Sequence, residues 1–159
     1  MSTTTDQLSA RYGRIAQQLE ELFTVGPKAT DDPVARMATA CALLQHKMTH
    51  FFWTGFYLLK GDRLVVGPYQ GPLACAVLPG PDGVCWEGVR SGRTVVVPDV
   101  HAFPGHVACD ARSRSEIVVP LRDRTGAVLG VLDVDSTRPG AFGPDDAAGL
   151  ERIVALIHP

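Results

Sequence analysis

The sequence predicts an α+β domain, with helices gathered mainly on one face of a largely antiparallel sheet. Three observations predict it. Apolar residues recur at helical spacing over the first 48 positions, and β-rich segments punctuated by turn residues follow from residue 50. A last amphipathic stretch closes the chain. At 159 residues, 45% apolar and 20% charged, the chain suits one globular domain spanning 1–159. It divides into N-terminal helices (6–49), a sheet with its loops (50–142) and a C-terminal helix (144–158).

The first helix is expected over 6–24. Asp6 is a candidate N-cap, and Leu8, Tyr12, Ile15, Leu19 and Leu22 recur at steps of three and four. "VGPKAT" breaks it. The second begins at "DDPV", where an aspartate precedes Pro33 at a position whose missing N–H costs nothing. Val34, Met37, Cys41, Leu44 and Met48 would line its buried face. "HFFWTGFYLL" and "RLVVGPY", joined by "GD", read as paired strands. "LACAVLP" is a further short strand, "DGVCWEGVRSG" a short helix or turn, and "RTVVVPD" another strand. Residues 98–114 have no pattern of their own, and loops of that length are commonly functional. "SEIVVPLR" and "AVLGVLDVD" flank "DRTG" as a hairpin. The last helix carries Leu150, Ile153, Val154 and Ile157 on one side.

A net charge of −2 leaves no basic footprint for nucleic acid. No segment offers roughly 18 uninterrupted apolar residues to span a membrane. "MSTTTDQLSA" lacks the basic start and apolar run of a signal peptide, so a cytoplasmic location with reduced cysteines is expected.

Four cysteines in a reducing compartment point to catalysis or metal binding more than to a disulfide framework. Cys41 falls on the apolar stripe of the second helix, where a thiol acts as a small hydrophobe. Cys75 lies in the strand after "GPYQGPLA", Cys85 in a glycine-flanked turn and Cys109 in the long loop. His106, Arg112 and Arg114 surround Cys109 in sequence and could favour its thiolate. A thiol that attacks an oxidised substrate needs a second thiol to resolve the product, and both Cys75 and Cys85 are available. His101, His106 and Cys109 could together bind zinc, but the close ligand pairs of structural zinc sites are missing, so no metal is assigned.

Asp133 and Asp135 lie two apart in a strand, on one face and about 7 Å apart. Leu129 and Val131 would share that face, which implies burial. Paired buried acids are costly without a cation, ligand or shared proton, unless the aspartates lie past the strand end and cap a loop. Glu116 would sit on the neighbouring strand. On "HFFWTGFYLL", Phe51, Trp53, Gly55 and Tyr57 would share one face and Phe52, Thr54 and Phe56 the other. Trp53 and Tyr57 need partners for their polar tips, which suits a pocket wall as well as a core.

"FWTGFYLL", "GPYQGPLAC", "GVC", "VVPDVHAFPGHVACDARSRSEIVVP" and "GVLDVDS" together resemble the free methionine-(R)-sulfoxide reductases, a GAF-fold family, over about residues 50–146. The resemblance implies a six-stranded antiparallel sheet, a homodimer and reduction of free L-methionine (R)-sulfoxide. It implies that Cys109 is the nucleophile, left as a sulfenic acid after methionine departs. Cys75 or Cys85 then condenses with it to a disulfide that thioredoxin reduces. It places Trp53, Tyr57, Glu116, Asp133 and Asp135 around the substrate. Buried carboxylates would gain a partner in the substrate ammonium, and one with raised pKa could protonate the departing oxygen. No cofactor is called for, since the thiols carry the electrons. Trp86 stands where the family usually has glycine after Cys85, which favours Cys75 as the resolving partner. The rival expectation is a GAF domain that senses a small molecule without chemistry.

Overall fold

The structure is a computed structural model and describes residues 4–158, with side chains from residue 6. Helix α1 spans Thr4–Thr24, so Asp6 stands inside the first turn rather than at the cap. Helix α2 spans Pro33–Lys47, and its Asp32 cap accepts a hydrogen bond from the Ala35 N–H at 2.9 Å. The strands are β1 (Trp53–Lys60), β2 (Arg63–Gln70), β3 (Val77–Pro79), β4 (Val95–Val97), β5 (Ser115–Arg122) and β6 (Val128–Ser136). Between β3 and β4 lies helix α3 (Val84–Ser91), and helix α4 (Pro144–Val154) follows β6.

The sheet runs β3-β2-β1-β6-β5-β4 with every pairing antiparallel. Two hairpins supply most of it. In the β5–β6 turn, Asp123 accepts hydrogen bonds from the Thr125 and Ala127 N–H groups, closing "DRTG" as an aspartate turn. The strands β1 and β6 at the centre come from distant parts of the chain.

The two faces of the sheet differ. Helices α1, α2 and α4 cover one, burying Tyr12, Leu19, Leu44, Phe56, Leu132 and Ile153 in a largely apolar layer, where the Tyr12 hydroxyl donates to the buried Asp146 carboxylate. Each such aliphatic or aromatic side chain contributes about 1.5–3 kcal/mol on burial. The other face carries only α3 and the loops around it, over a smaller cluster that includes Trp53, Tyr57, Cys85, Val118 and Val131. Gly88 lets α3 sit close: a Cβ there would lie 2.6 Å from a Val118 methyl.

Several expectations need correction. On α2, Val34 is exposed and Arg36 is buried instead. The Arg36 guanidinium donates to the carbonyls of Thr30 and Leu156 and lies over the Phe23 ring, so its charge is satisfied inside. Residues 50–52 precede β1, so the alternation does not extend to them. Phe51 therefore packs with the helix-covered core and Phe52 with the other cluster, the reverse of strict alternation. Leu129 leaves the face of Val131, Asp133 and Asp135, because a register irregularity between Leu121 and Arg122 breaks the alternation there. The third strand is only Val77–Pro79, which leaves Cys75 in the loop before it. Of the two readings of "DGVCWEGVRSG", the short helix is the one that forms, with Cys85 in the first turn of α3. Ile157 is buried, but in a turn beyond the end of α4.

Candidate active site

The less covered face holds a cavity above β1, β6 and β5. Register explains its floor. Trp53 pairs with Asp135, and Asp135 pairs with Glu116, so three chemically active side chains form one row across three strands. In the next row Gly55, Asp133 and Val118 are aligned. The period of two along β6 and the pairing across it thus bring Glu116, Asp133 and Asp135 to one place. The aspartates stand within β6 and do not cap a loop.

The wall is aromatic. Trp53 stacks between Tyr57 (5.7 Å between ring centroids) and Tyr69 (5.4 Å). Gly55 makes room, since a Cβ there would lie 2.4 Å from the Trp53 ring. The polar tips find backbone partners: the Trp53 indole donates to the Pro72 carbonyl at 3.1 Å and the Tyr57 hydroxyl to the Cys75 carbonyl at 2.9 Å. These bonds hold the loop that carries Cys75 against the sheet.

Cys75 and Cys109 are joined in a disulfide, their Cα atoms 5.5 Å apart across 34 residues of sequence. Cys109 is exposed at the cavity edge and Cys75 is half-buried behind it. Cys41 and Cys85 are free and buried. Trp86 turns away from the cavity and donates to the Leu78 carbonyl, so the indole does not stand over Cys85. Cys85 instead points to the acids: its sulfur and one oxygen each from Glu116 and Asp133 lie within 4.8 Å of one another. A metal ion could bridge such a group. In the disulfide form the Cys109 sulfur is bonded to Cys75 and is not available to join His101 and His106 as a metal ligand.

Glu116 and Asp133 are buried, 5% and 6% exposed, and Asp135 is half-buried beside them. Burial, then the neighbouring aspartates, holds the Glu116 carboxyl well above the usual range. Asp135 is raised by burial and by Asp133, against a hydrogen bond with Ser113. Burial raises Asp133 to about 6, with Glu116 and Cys85 holding it below where burial alone would put it. One Asp133 oxygen, Oδ1, is buried with no hydrogen-bond partner. Burial, then the same acids, pushes the Cys85 thiol well up, so it rests protonated. His106 approaches Glu116 at 4.0 Å, yet burial and His101 lower its pKa. A protonated Glu116 offers that imidazole no full negative charge.

All eight expected residues thus converge on this region, with Cys75 reaching it through its bond to Cys109. Sequence reading missed Ser113, buried beside Asp135, and Tyr69, the outer ring of the stack. Tyr69 was legible as an inward position of the second strand. Ser113 lies in the unpatterned loop and carried no signal.

The sequence profile of the GAF domain matches residues 31–158. The free methionine-R-sulfoxide reductase of Escherichia coli strain K12 is 47% identical over 125 residues, 79% of this chain and 75% of its own. The enzyme of the same name from Saccharomyces cerevisiae is 36% identical over 132 residues, 79% of this chain and 73% of its own. The crystal structure of the Neisseria meningitidis free methionine-R-sulfoxide reductase with its substrate superposes with a TM-score of 0.86 at 41% identity, covering 94% of this chain and 87% of that one. The chain belongs to the GAF-domain family of free methionine-R-sulfoxide reductases.

Proposed function

We infer that the protein reduces free L-methionine (R)-sulfoxide to methionine, with Cys109 as nucleophile and Cys75 as resolving thiol. One observation carries the reading: the Cys75–Cys109 disulfide stands at the edge of a cavity walled by Trp53 and Tyr57 and floored by three carboxyls, of which Glu116 and Asp133 are buried and Asp135 half-buried. In the reduced enzyme the Cys109 sulfur attacks the sulfoxide sulfur. A proton passes to the oxygen from a carboxyl of the trio that burial keeps neutral. The oxygen passes from the methionine sulfur to the Cys109 sulfur as the bond between the two sulfurs breaks, so methionine departs and Cys109 is left as a sulfenic acid. The Cys75 thiol condenses with it, water leaves and the observed disulfide forms. A dithiol reductant of the thioredoxin kind returns both thiols.

The substrate's ammonium relieves the cost of the acid cluster, and the unpartnered Asp133 oxygen is a natural acceptor for it. The S-methyl group and sulfur suit the aromatic wall. Restriction to the free amino acid follows, because a peptide-linked residue has no ammonium to offer. Cys85 has no part in resolution on this reading: it is buried among acids while Cys75 already reaches Cys109. The reading includes a homodimer and a reducing cytoplasm, the first checked by sedimentation velocity.

The decisive experiment combines purified protein, thioredoxin, thioredoxin reductase and NADPH with each epimer of free methionine sulfoxide. NADPH consumption with the (R) epimer and not the (S) epimer is expected. Consumption with (S) alone, or with neither, defeats the proposal.

A further inference from the structure

The disulfide must be reopened by a sulfur from outside the chain, so its surroundings matter. Large apolar side chains stand exposed at three positions around it: Leu73 (88% exposed) and Val77 (38%), two residues either side of Cys75, and Val107 (41%), two before Cys109. Side chains that exposed and that apolar, two in loops and Val77 at the start of β3, contribute little to the core. Clustered around a reactive bond, they form a surface of the kind that partners cover. Cys109 is the exposed half of the disulfide and Cys75 the half-buried one, held from behind by the Tyr57 hydroxyl on its carbonyl.

We propose that Leu73, Val77 and Val107 form the docking rim for a dithiol protein reductant whose thiolate attacks the Cys109 sulfur. The inference rests on the function proposed above and names the contact surface for its last step. The incoming thiolate forms a new S–S bond to Cys109, the Cys75–Cys109 bond breaks and Cys75 leaves as a thiolate that takes up a proton. The reductant's second thiol then attacks its own sulfur in the mixed disulfide and expels the Cys109 thiolate. Two electrons pass from the reductant, which departs as a disulfide. An apolar rim suits this partner because a protein thiolate must be held in line with the S–S bond, and apolar contact around the bond holds it there. A small reductant such as dithiothreitol needs no such surface.

The test compares the parent with the variants Leu73→Ser, Val77→Ser and the two combined. Three readouts are taken: the KM for thioredoxin, turnover driven by dithiothreitol, and methionine released in a single turnover by pre-reduced protein. The combined variant should raise the KM for thioredoxin about ten-fold, the scale of losing an interface anchor, while the other two readouts stay within two-fold. Leu73→Met should restore most of the loss. An unchanged KM for thioredoxin overturns the docking rim. A matching loss with dithiothreitol overturns it too, and shows that these residues close over the substrate instead. Thioredoxin lacking its resolving cysteine should be trapped on Cys109, and peptide mass mapping that finds it on Cys75 overturns the direction of attack. Failure of the underlying function looks different, since the pre-reduced parent would then release no methionine at all.

Discussion

The two faces of this sheet are made by the same strands and solve opposite problems. Beneath α1, α2 and α4, Phe56, Leu132, Val134, Ile117 and Val119 project into a largely apolar layer, whose buried charged residues Arg36 and Asp146 are each hydrogen-bonded. One residue along on the same strands, Tyr57, Asp133, Asp135 and Glu116 line the cavity, and Val118 packs under α3 on the same face. The first face stabilises the fold. The second places two acids out of water with a third half-buried beside them, at a cost to the folded state that only a ligand, a proton or the first face can offset. Alternation along a strand thus separates stability from chemistry by a single residue.

The largest effect should come from Cys109→Ser, on the cavity face. Sulfoxide reduction should fall about a thousand-fold or more, with the unfolding midpoint under reducing conditions almost unmoved. Methionine release in a single turnover measures the first and urea titration in reductant the second. The opposite pattern is expected of Leu132→Ala on the helix-covered face: a loss of about 2–5 kcal/mol of stability, with the rate per folded molecule retained. If Leu132→Ala removed activity at full folding, the faces would not be independent.

Asp133→Asn sharpens the contrast further. It should weaken substrate binding by about 1.5–3 kcal/mol, as loss of a charge-assisted hydrogen bond does, and yet stabilise the substrate-free protein at neutral pH. Calorimetric titration and urea midpoints measure the two arms. The sign follows from linkage. Asp133 is raised from 3.8 to about 6 in the folded protein, so its contribution is present at low pH and is lost as pH rises from about 4 through about 6. Glu116 and Asp135 are shifted in the same direction and carry the loss to higher pH. The stability of the parent should therefore decline across that window, and the decline should be shallower in Asp133→Asn. Least disturbed should be Cys85→Ala, with a stability loss on the order of 1 kcal/mol. One equivalent of sulfoxide should still produce the Cys75–Cys109 disulfide, read by peptide mass mapping.

Element types were legible because each strand and helix presents its own period. The aromatic strand, the "SEIVVPLR" hairpin and the capped second helix stand close to where periodicity put them. The errors share one physical cause: alternation is a property of regular backbone and lapses where the backbone does. Phe51 and Phe52 exchanged faces because β1 begins at Trp53, and Leu129 changed face beside a register irregularity. Val34 and Arg36 exchanged places because the Thr30 and Leu156 carbonyls, remote in sequence, satisfy a buried guanidinium.

The sequence by itself determined the materials of the site. Two aspartates two apart in a strand must share a face, a glutamate opening the adjacent hairpin strand must come near them, and the motifs around Cys109 specify the family. Through Trp86 it leaned to Cys75 over Cys85 but could not place either beside Cys109, because separation along the chain says nothing about distance once loops fold back over a sheet. Tertiary structure decided that. Trp53 and Tyr57 draw the Pro72–Cys75 segment down onto β1 and bring Cys75 to Cys109, while α3 turns Cys85 inward among the acids.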